Sequence, residues 1–99
     1  MYRGTTPTIE IEFDFDINLI SCMYATFVQN NTRVFEKTMS DCQYNGNVAT
    51  ITLTQAETLK LRPNEMVYMQ VRVKLADGNA LTSAPIKFNV LDIYKEGVI

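Results

Sequence analysis

The first strongly patterned segment of the chain covers residues 9–17 and reads Ile-Glu-Ile-Glu-Phe-Asp-Phe-Asp-Ile. Every odd position is apolar and every even position is an acid. Successive side chains of a β-strand point to opposite faces, so this period of two predicts a strand with one buried face and one acidic face. A helix would spread the acids around its whole circumference. The predicted inward residues are Ile9, Ile11, Phe13, Phe15 and Ile17.

The same alternation returns over residues 66–75. Apolar residues at 67, 69, 71, 73 and 75 are predicted to point inward, and Tyr68, Gln70, Arg72 and Lys74 outward. Segments rich in β-forming residues predict further strands, at residues 22–29, 32–38, 47–53 and 79–90. In the last of these, Ile86, Phe88 and Val90 are predicted to point inward. Residues 39–44 are less regular and predict a short edge strand.

Turn-forming residues separate these strands. Asn30-Asn31 and Asp77-Gly78 suit tight turns, and Asn45-Gly46 is the strongest hairpin signal, predicting a type I′ turn with positive φ at both residues. Thr54 followed three residues later by Glu57 is a capping box, which predicts one or two helical turns near residues 54–60. Pro85 cannot donate to a ladder and is expected at a sheet edge or a bulge.

Six or seven strands joined by short turns, in 99 residues, predict an all-β chain. The expected fold is an immunoglobulin-like antiparallel β-sandwich of about seven strands with one short helix near residues 54–60. It would form a single domain over residues 1–99. A small β-barrel is the competing architecture.

Residues 61–68, Leu-Arg-Pro-Asn-Glu-Met-Val-Tyr, followed by Gln-Val-Arg-Val at residues 70–73, resemble the E–F corner and F strand of fibronectin type III domains. The resemblance implies that Leu61 and Tyr68 pack at the corner between the two sheets. It covers about a dozen residues and supports the sandwich.

Composition narrows the function classes. The formal net charge is −2 and no Lys/Arg cluster exceeds what a solvated strand face carries, so nucleic acid is not an expected partner. No apolar run reaches membrane-spanning length, and the polar residues 1–7 do not form a signal peptide. Cys22 and Cys42 are expected to be reduced and structural rather than disulfide-bonded. Without histidine or a Cys-x-x-Cys motif, no metal or cofactor site is predicted.

The acids of the first strand form the most prominent polar cluster, called here the acidic stripe: Glu10, Glu12, Asp14 and Asp16. Carboxylates can act as a general acid and base or bind calcium. On an open strand face, however, they lack an enclosing pocket, and the chain has no histidine to activate a nucleophile. We therefore expect no catalytic residues and no small-molecule substrate. The acidic stripe is expected to be solvent-exposed and to protect an edge strand, or to bind a partner that presents Lys or Arg.

Short motifs at both ends and in the middle carry a second resemblance. Met-x-Arg-Gly-Thr-Thr-Pro at residues 1–7, Thr-Leu-Thr-Gln-Ala-Glu-Thr-Leu at residues 52–59 and Tyr-Lys-Glu-Gly-Val-Ile at residues 94–99 resemble a group of small proteins from prophages of Gram-positive bacteria. More distantly, the chain is similar to the immunoglobulin-like N-terminal domain of phage baseplate upper proteins. The resemblance implies a virion, tail or baseplate component that is made in the bacterial host cytoplasm, and it supplies no site residues.

The leading hypothesis is therefore a phage-derived structural protein that acts by protein–protein assembly and is not an enzyme. Its partners would be other phage structural proteins or further copies of itself, bound through sheet edges, the chain ends and the acidic stripe. The alternative is a carbohydrate-binding or adhesion module that uses exposed tyrosines, namely Tyr24, Tyr44 or Tyr68.

Overall fold

The chain folds into two antiparallel β-sheets, as described by a computed structural model of all 99 residues. The eight strands are β1 (Thr8–Glu12), β2 (Ile20–Gln29), β3 (Thr32–Thr38), β4 (Cys42–Asn45), β5 (Val48–Thr52), β6 (Met66–Leu75), β7 (Ala80–Thr82) and β8 (Ile86–Asn89). One α-helix, α1 (Gln55–Leu59), joins β5 to β6. Two single turns of 3-10 helix precede β2 and β4, at Ile17–Leu19 and Met39–Asp41.

The strand order confirms an immunoglobulin-like sandwich rather than a barrel. One sheet has the order β1-β5-β4, and the other has the order β3-β2-β6, with both β7 and β8 on the outer edge of β6. In the nomenclature of immunoglobulin domains these sheets correspond to strands B-E-D and C′-C-F-G. Strand A, which lies beside strand B in constant-type domains, has no counterpart beside β1. The N-terminal segment instead makes a parallel bridge from Tyr2 to Leu91.

The core lies between the central strands. Its fifteen buried hydrophobic residues include every inward residue of β6 from Val67 to Val73, each at most 6% exposed. Phe27 of β2 stacks on Phe35 of β3, with ring centroids 4.6 Å apart. The alternation predicted for residues 66–75 is therefore confirmed, with Leu75 partly buried at the end of the strand.

The first predicted strand is too long. The period-two burial does continue to Ile17, but β1 ends at Glu12 because its partner β5 begins at Val48, opposite Glu12. Beyond this point the ladder gives way to isolated contacts: the Phe13 amide donates to the Asn47 carbonyl, and the Asn47 side-chain amide donates to the Phe13 carbonyl, both at 2.8 Å. The Asp16 side chain accepts from the Asn18 amide and starts a 3-10 turn where an extended strand was expected.

The predicted turns are present, with one shifted by a residue. Asn30 and Asn31 have φ values of 50° and 60°, as a type I′ hairpin requires. In the second hairpin Asn45 pairs with Val48, so the central residues are Gly46 and Asn47 rather than Asn45 and Gly46. Only Gly46 has positive φ there, so the turn is not type I′.

The capping box is confirmed and fixes the start of α1. The Thr54 hydroxyl accepts from the Glu57 amide at 3.1 Å, and the Glu57 carboxylate accepts from the Thr54 amide at 2.8 Å.

The single strand predicted for residues 79–90 is two strands, β7 and β8, because residues 83–85, which end with Pro85, lie outside the ladder with β6. Ile86, predicted to point into the core, is 44% exposed.

The predicted corner between β5 and β6 is half correct. Leu61 is buried in the core. Tyr68 is 40% exposed on the outer face of β6, because the strict alternation that buries Val67 and Met69 turns the residue between them outward. The corner is held by Gln29 instead, whose side-chain amide bonds both backbone groups of Arg62, at 2.7 Å and 3.0 Å.

Candidate functional site

An apolar groove with an acidic rim runs along one side of the sandwich, between β1 and the β7–β8 edge. Its volume is about 360 Å³. One wall consists of Ile11, Phe13 and Phe15, and the other of Val71, Val73, Leu81 and Ile86. Three acids of the acidic stripe line its rim: Glu10, Glu12 and Asp14. We call this feature the β1 groove.

The groove exists because both of its walls are sheet edges. A sheet buries its inner face fully only where the opposite sheet covers it, and here neither edge has a further strand beyond it. Leu81 and Ile86 are therefore 45% and 44% exposed, although they belong to the apolar face. Phe13 and Phe15 keep partial cover by packing on each other, with ring centroids 5.4 Å apart.

The backbone of β1 presents unpaired hydrogen-bonding groups toward this side. The odd-numbered residues face β5, since Pro7 accepts from the Leu53 amide and the Phe13 amide donates to Asn47. In an antiparallel strand the N–H and C=O of one residue point the same way, and neighbouring residues alternate. Thr8, Glu10 and Glu12 therefore direct their amides and carbonyls to the edge of β1 that no strand covers.

The structure separates the members of the acidic stripe by role. All four are exposed, and none takes part in an ion pair. Glu10 and Glu12 project from the outer face of β1, Asp14 lies in the bend that follows, and Asp16 caps the 3-10 turn. No three Asp, Glu, Cys or His residues lie close enough together to bind a metal ion. The arrangement presents dispersed negative charge beside an apolar surface.

The exposed tyrosines do not form one site. Tyr24 of β2 and Tyr68 of β6 share the outer face of the larger sheet, but Tyr24 lies opposite Arg72 and Tyr68 opposite Val28, four residues further along the ladder. Tyr44 is on β4 of the other sheet, where its hydroxyl donates to the Met39 carbonyl. A shallow depression beside Tyr68 is also lined by Gln70, Asn30, Asn31, Val28 and Pro85.

Three sets of polar contacts between distant parts of the chain were not predicted from the sequence. Besides Gln29, the side chain of Arg3 donates to the Leu59 and Leu61 carbonyls and to the carboxylates of Asp92 and Glu96. The hydrogen bond to Glu96 leads the effects that raise the Arg3 pKa, against the opposing effect of desolvation. These contacts join segments as much as 93 residues apart, so no local sequence pattern predicts them.

The third contact is an ion pair between Lys37 of β3 and Glu57 of α1, with Nζ and Oε1 2.7 Å apart. Lys37 occupies an inward position of β3 that an apolar residue would normally take. A charged residue at such a position is the only feature of the sequence that could have indicated this ion pair. Burial by itself raises the Glu57 pKa, but the hydrogen bonds from Lys37 and Thr54 together hold that pKa below its usual value. The pair ties the edge of the larger sheet to α1.

The two cysteines are free thiols in different sheets, with Cys22 on β2 and Cys42 on β4. Partial burial, reinforced by the charge of Asp41, raises the pKa of the Cys42 thiol. A raised pKa keeps that thiol protonated and unreactive at neutral pH.

Comparison with known proteins gives little to carry over. No protein-family model matches the chain, and no curated protein matches it. Among solved structures, the V domain of amphioxus IgVJ-C2 aligns over 94% of this chain and 97% of that one, with 15% identity and a TM-score of 0.39. At that score no residue role passes from one chain to the other. No helix of the chain is long and apolar enough to cross a membrane.

Proposed function

We propose that the chain is a non-catalytic assembly protein of a phage-derived particle, and that the β1 groove is its principal contact surface. The observation that carries this proposal is the coincidence, on one side of the sandwich, of an unpaired strand edge and an exposed apolar surface. Assembly by an added strand or a docked loop uses both features and requires no chemistry. The particle assignment rests on the resemblance of residues 1–7, 52–59 and 94–99 to small prophage proteins.

Energetics favour contact at this groove over contact on the outer faces of the two sheets. Covering apolar area gains about 25 cal/mol per Å², and Leu81 and Ile86 each leave more than two fifths of their accessible surface uncovered. The outer faces of the sheets offer mostly polar and charged side chains. Contacts there gain less, because they exchange water for polar groups of similar strength.

The test is the location and copy number of the chain in particles released by the bacterium that encodes it. Mass spectrometry of gradient-purified particles should find the chain in a fixed ratio to the major particle proteins. An abundant host cytoplasmic protein serves as the control for carry-over. A chain that stays in the lysate while the particle proteins sediment would contradict the proposal.

A second candidate function, carbohydrate binding, is favoured by the depression beside Tyr68. An aromatic ring next to the amides of Gln70, Asn30 and Asn31 combines a stacking surface with hydrogen-bonding groups. Titration with cell-wall glycans, followed by NMR, should then shift the Tyr68 ring signals. Shifts of the neighbouring Gln70 side-chain amide signals should accompany them; Tyr68→Ala should abolish the Gln70 shifts and Tyr24→Ala should preserve them. An unchanged spectrum across the glycans would remove this candidate.

A further inference from the structure

We infer that the β1 groove binds an extended segment of another protein, which adds to β1 as an antiparallel strand and alternates apolar residues with Lys or Arg. This inference deepens the proposed function, on which it rests, by naming the chemistry of the partner. The added strand would lie where strand A lies in a constant-type immunoglobulin domain, beside strand B.

The backbone sets the first requirement for the partner. Thr8, Glu10 and Glu12 each offer one amide and one carbonyl toward the open edge. In an antiparallel ladder these groups pair with every second residue of the added strand. The partner must therefore be extended over about five residues and must have no proline at the positions that face β1.

The side chains set the second requirement. Residues of the added strand directly opposite Glu10 and Glu12 share the outer face of the sheet with them, and cross-strand pairs on one face favour opposite charge. The intervening residues point into the groove, beside Ile11, Phe13 and Leu81. A basic residue therefore alternates with an apolar one, and the acidic stripe acts through Glu10 and Glu12.

The same charges argue against a second copy at this edge. Two β1 strands paired antiparallel would bring glutamates of the two copies together on one face, and like charges directly opposite are destabilising. The purified protein should therefore have the mass of one chain by light scattering. A dimer that Leu81→Lys dissociates would show that a second copy occupies the groove and would overturn the inference.

The direct test uses the peptide acetyl-Thr-Val-Lys-Val-Lys-Val-Thr-amide and amide hydrogen exchange followed by NMR. On binding, exchange at the amides of Glu10 and Glu12 should slow at least about tenfold, because these amides acquire acceptors. Exchange at Ile9 and Ile11, already bonded to β5, should change little. Binding that leaves Glu10 and Glu12 exchange unchanged would show mere charge attraction, and absence of binding at millimolar peptide would equally overturn the inference.

Two peptide variants isolate the ladder. The lysine amides are predicted to face β1 and the valine amides to face away, so N-methylation of the two lysines should abolish binding. N-methylation of the first and third valines should leave binding within about threefold. Equal loss for both variants would contradict the predicted register. Replacing both lysines by glutamate should weaken binding more than tenfold at low salt, with a smaller effect at high salt.

Two protein variants isolate the groove, each with a matched control. Leu81→Lys places a charge in the apolar wall and should weaken peptide binding at least tenfold. Leu19→Lys, at a leucine that is 51% exposed outside the groove, should not. Glu12→Lys should weaken binding about fivefold, and Glu65→Lys should not. Equal effects of a variant and its control would contradict the assignment of the site.

The two proposals fail in distinguishable ways. A chain found at fixed copy number in particles, but blind to the peptide, would retain the assembly function and lose the strand-addition inference. A chain that binds the peptide with the expected amide protection, yet is absent from particles, would retain strand addition and lose the phage assignment.

Discussion

β1 and β6 carry the same alternation of apolar and polar residues, but the structure uses the two strands differently. β6 is paired on both sides, by β2 and by β7 and β8, and its inward residues are at most 6% exposed. β1 is paired on one side only, and Ile9 and Ile11 remain partly exposed. The period of two reports which face a residue lies on. It does not report whether the strand is central or at an edge.

The side-chain hydrogen bonds and ion pairs that link distant segments also lie near β6 and α1 rather than near β1. The entry to β6 is fixed by Gln29, whose side chain holds the Arg62 backbone, and by the buried Leu61. Near α1, Arg3 and the Lys37–Glu57 pair add further cross-links. No comparable side-chain bridge crosses the groove from β1 to β7. The chain is thus tightly fixed at its α1 end and open along the β1 groove.

The largest expected contrast compares isoleucine truncations within one sheet. Ile51→Ala, at a fully buried position of central β5, should lower the free energy of unfolding by about 3–4 kcal/mol. Ile11→Ala, on edge strand β1, should cost less, about 1–2 kcal/mol, because part of the removed surface is already solvated. Urea unfolding followed by circular dichroism measures both. Equal losses would mean that β1 is as well covered in solution as β5.

The next largest effect concerns the polar anchor of β6. Gln29→Ala leaves the amide and carbonyl of Arg62 without their partners in a part-buried site and should cost about 2–3 kcal/mol. Gln70→Ala, on the solvated outer face of β6, should change stability by less than about 0.5 kcal/mol. If the two variants unfold at the same urea concentration, the corner does not depend on Gln29.

Much of the fold was predictable because strand faces, tight turns and the capping box are local patterns. Thr54 and Glu57, or Asn30 and Asn31, carry their signal within a few residues. Which strands pair with one another, and where each strand ends, is not set by local sequence. The end of β1 at Glu12, for example, depends on where its partner β5 begins. The site was predictable in part, since Glu10 and Glu12 are exposed as expected. The groove beneath them required knowing that β7 lies across from β1.

A smaller effect is a pH dependence of the free energy of unfolding, caused by Glu57 of α1. The Glu57 pKa is lower in the folded chain than its usual value of 4.5. The charged carboxylate therefore stabilises the fold above about pH 4.5. This stabilisation is lost as the pH falls through the folded-state pKa. Glu57→Gln, which retains the capping geometry, should cost on the order of 1 kcal/mol at pH 6. The difference from wild type should shrink at pH 3. An unchanged difference would assign the effect to packing, and Glu65→Gln should show neither effect.

Amide hydrogen exchange in the free protein compares β1 and β6 directly and needs no substitution. In β1, the amides of Ile9, Ile11 and Phe13 donate toward β5 and should exchange slowly, while those of Glu10 and Glu12 should exchange within about tenfold of an unstructured peptide. In β6, odd and even residues should both be protected, since the Val71 amide, in the gap between β7 and β8, donates to the Ser83 hydroxyl at 3.0 Å. Uniform protection along β1 would mean that its outer edge already has a partner in solution, whereas alternating protection would leave that edge open to a strand from another chain.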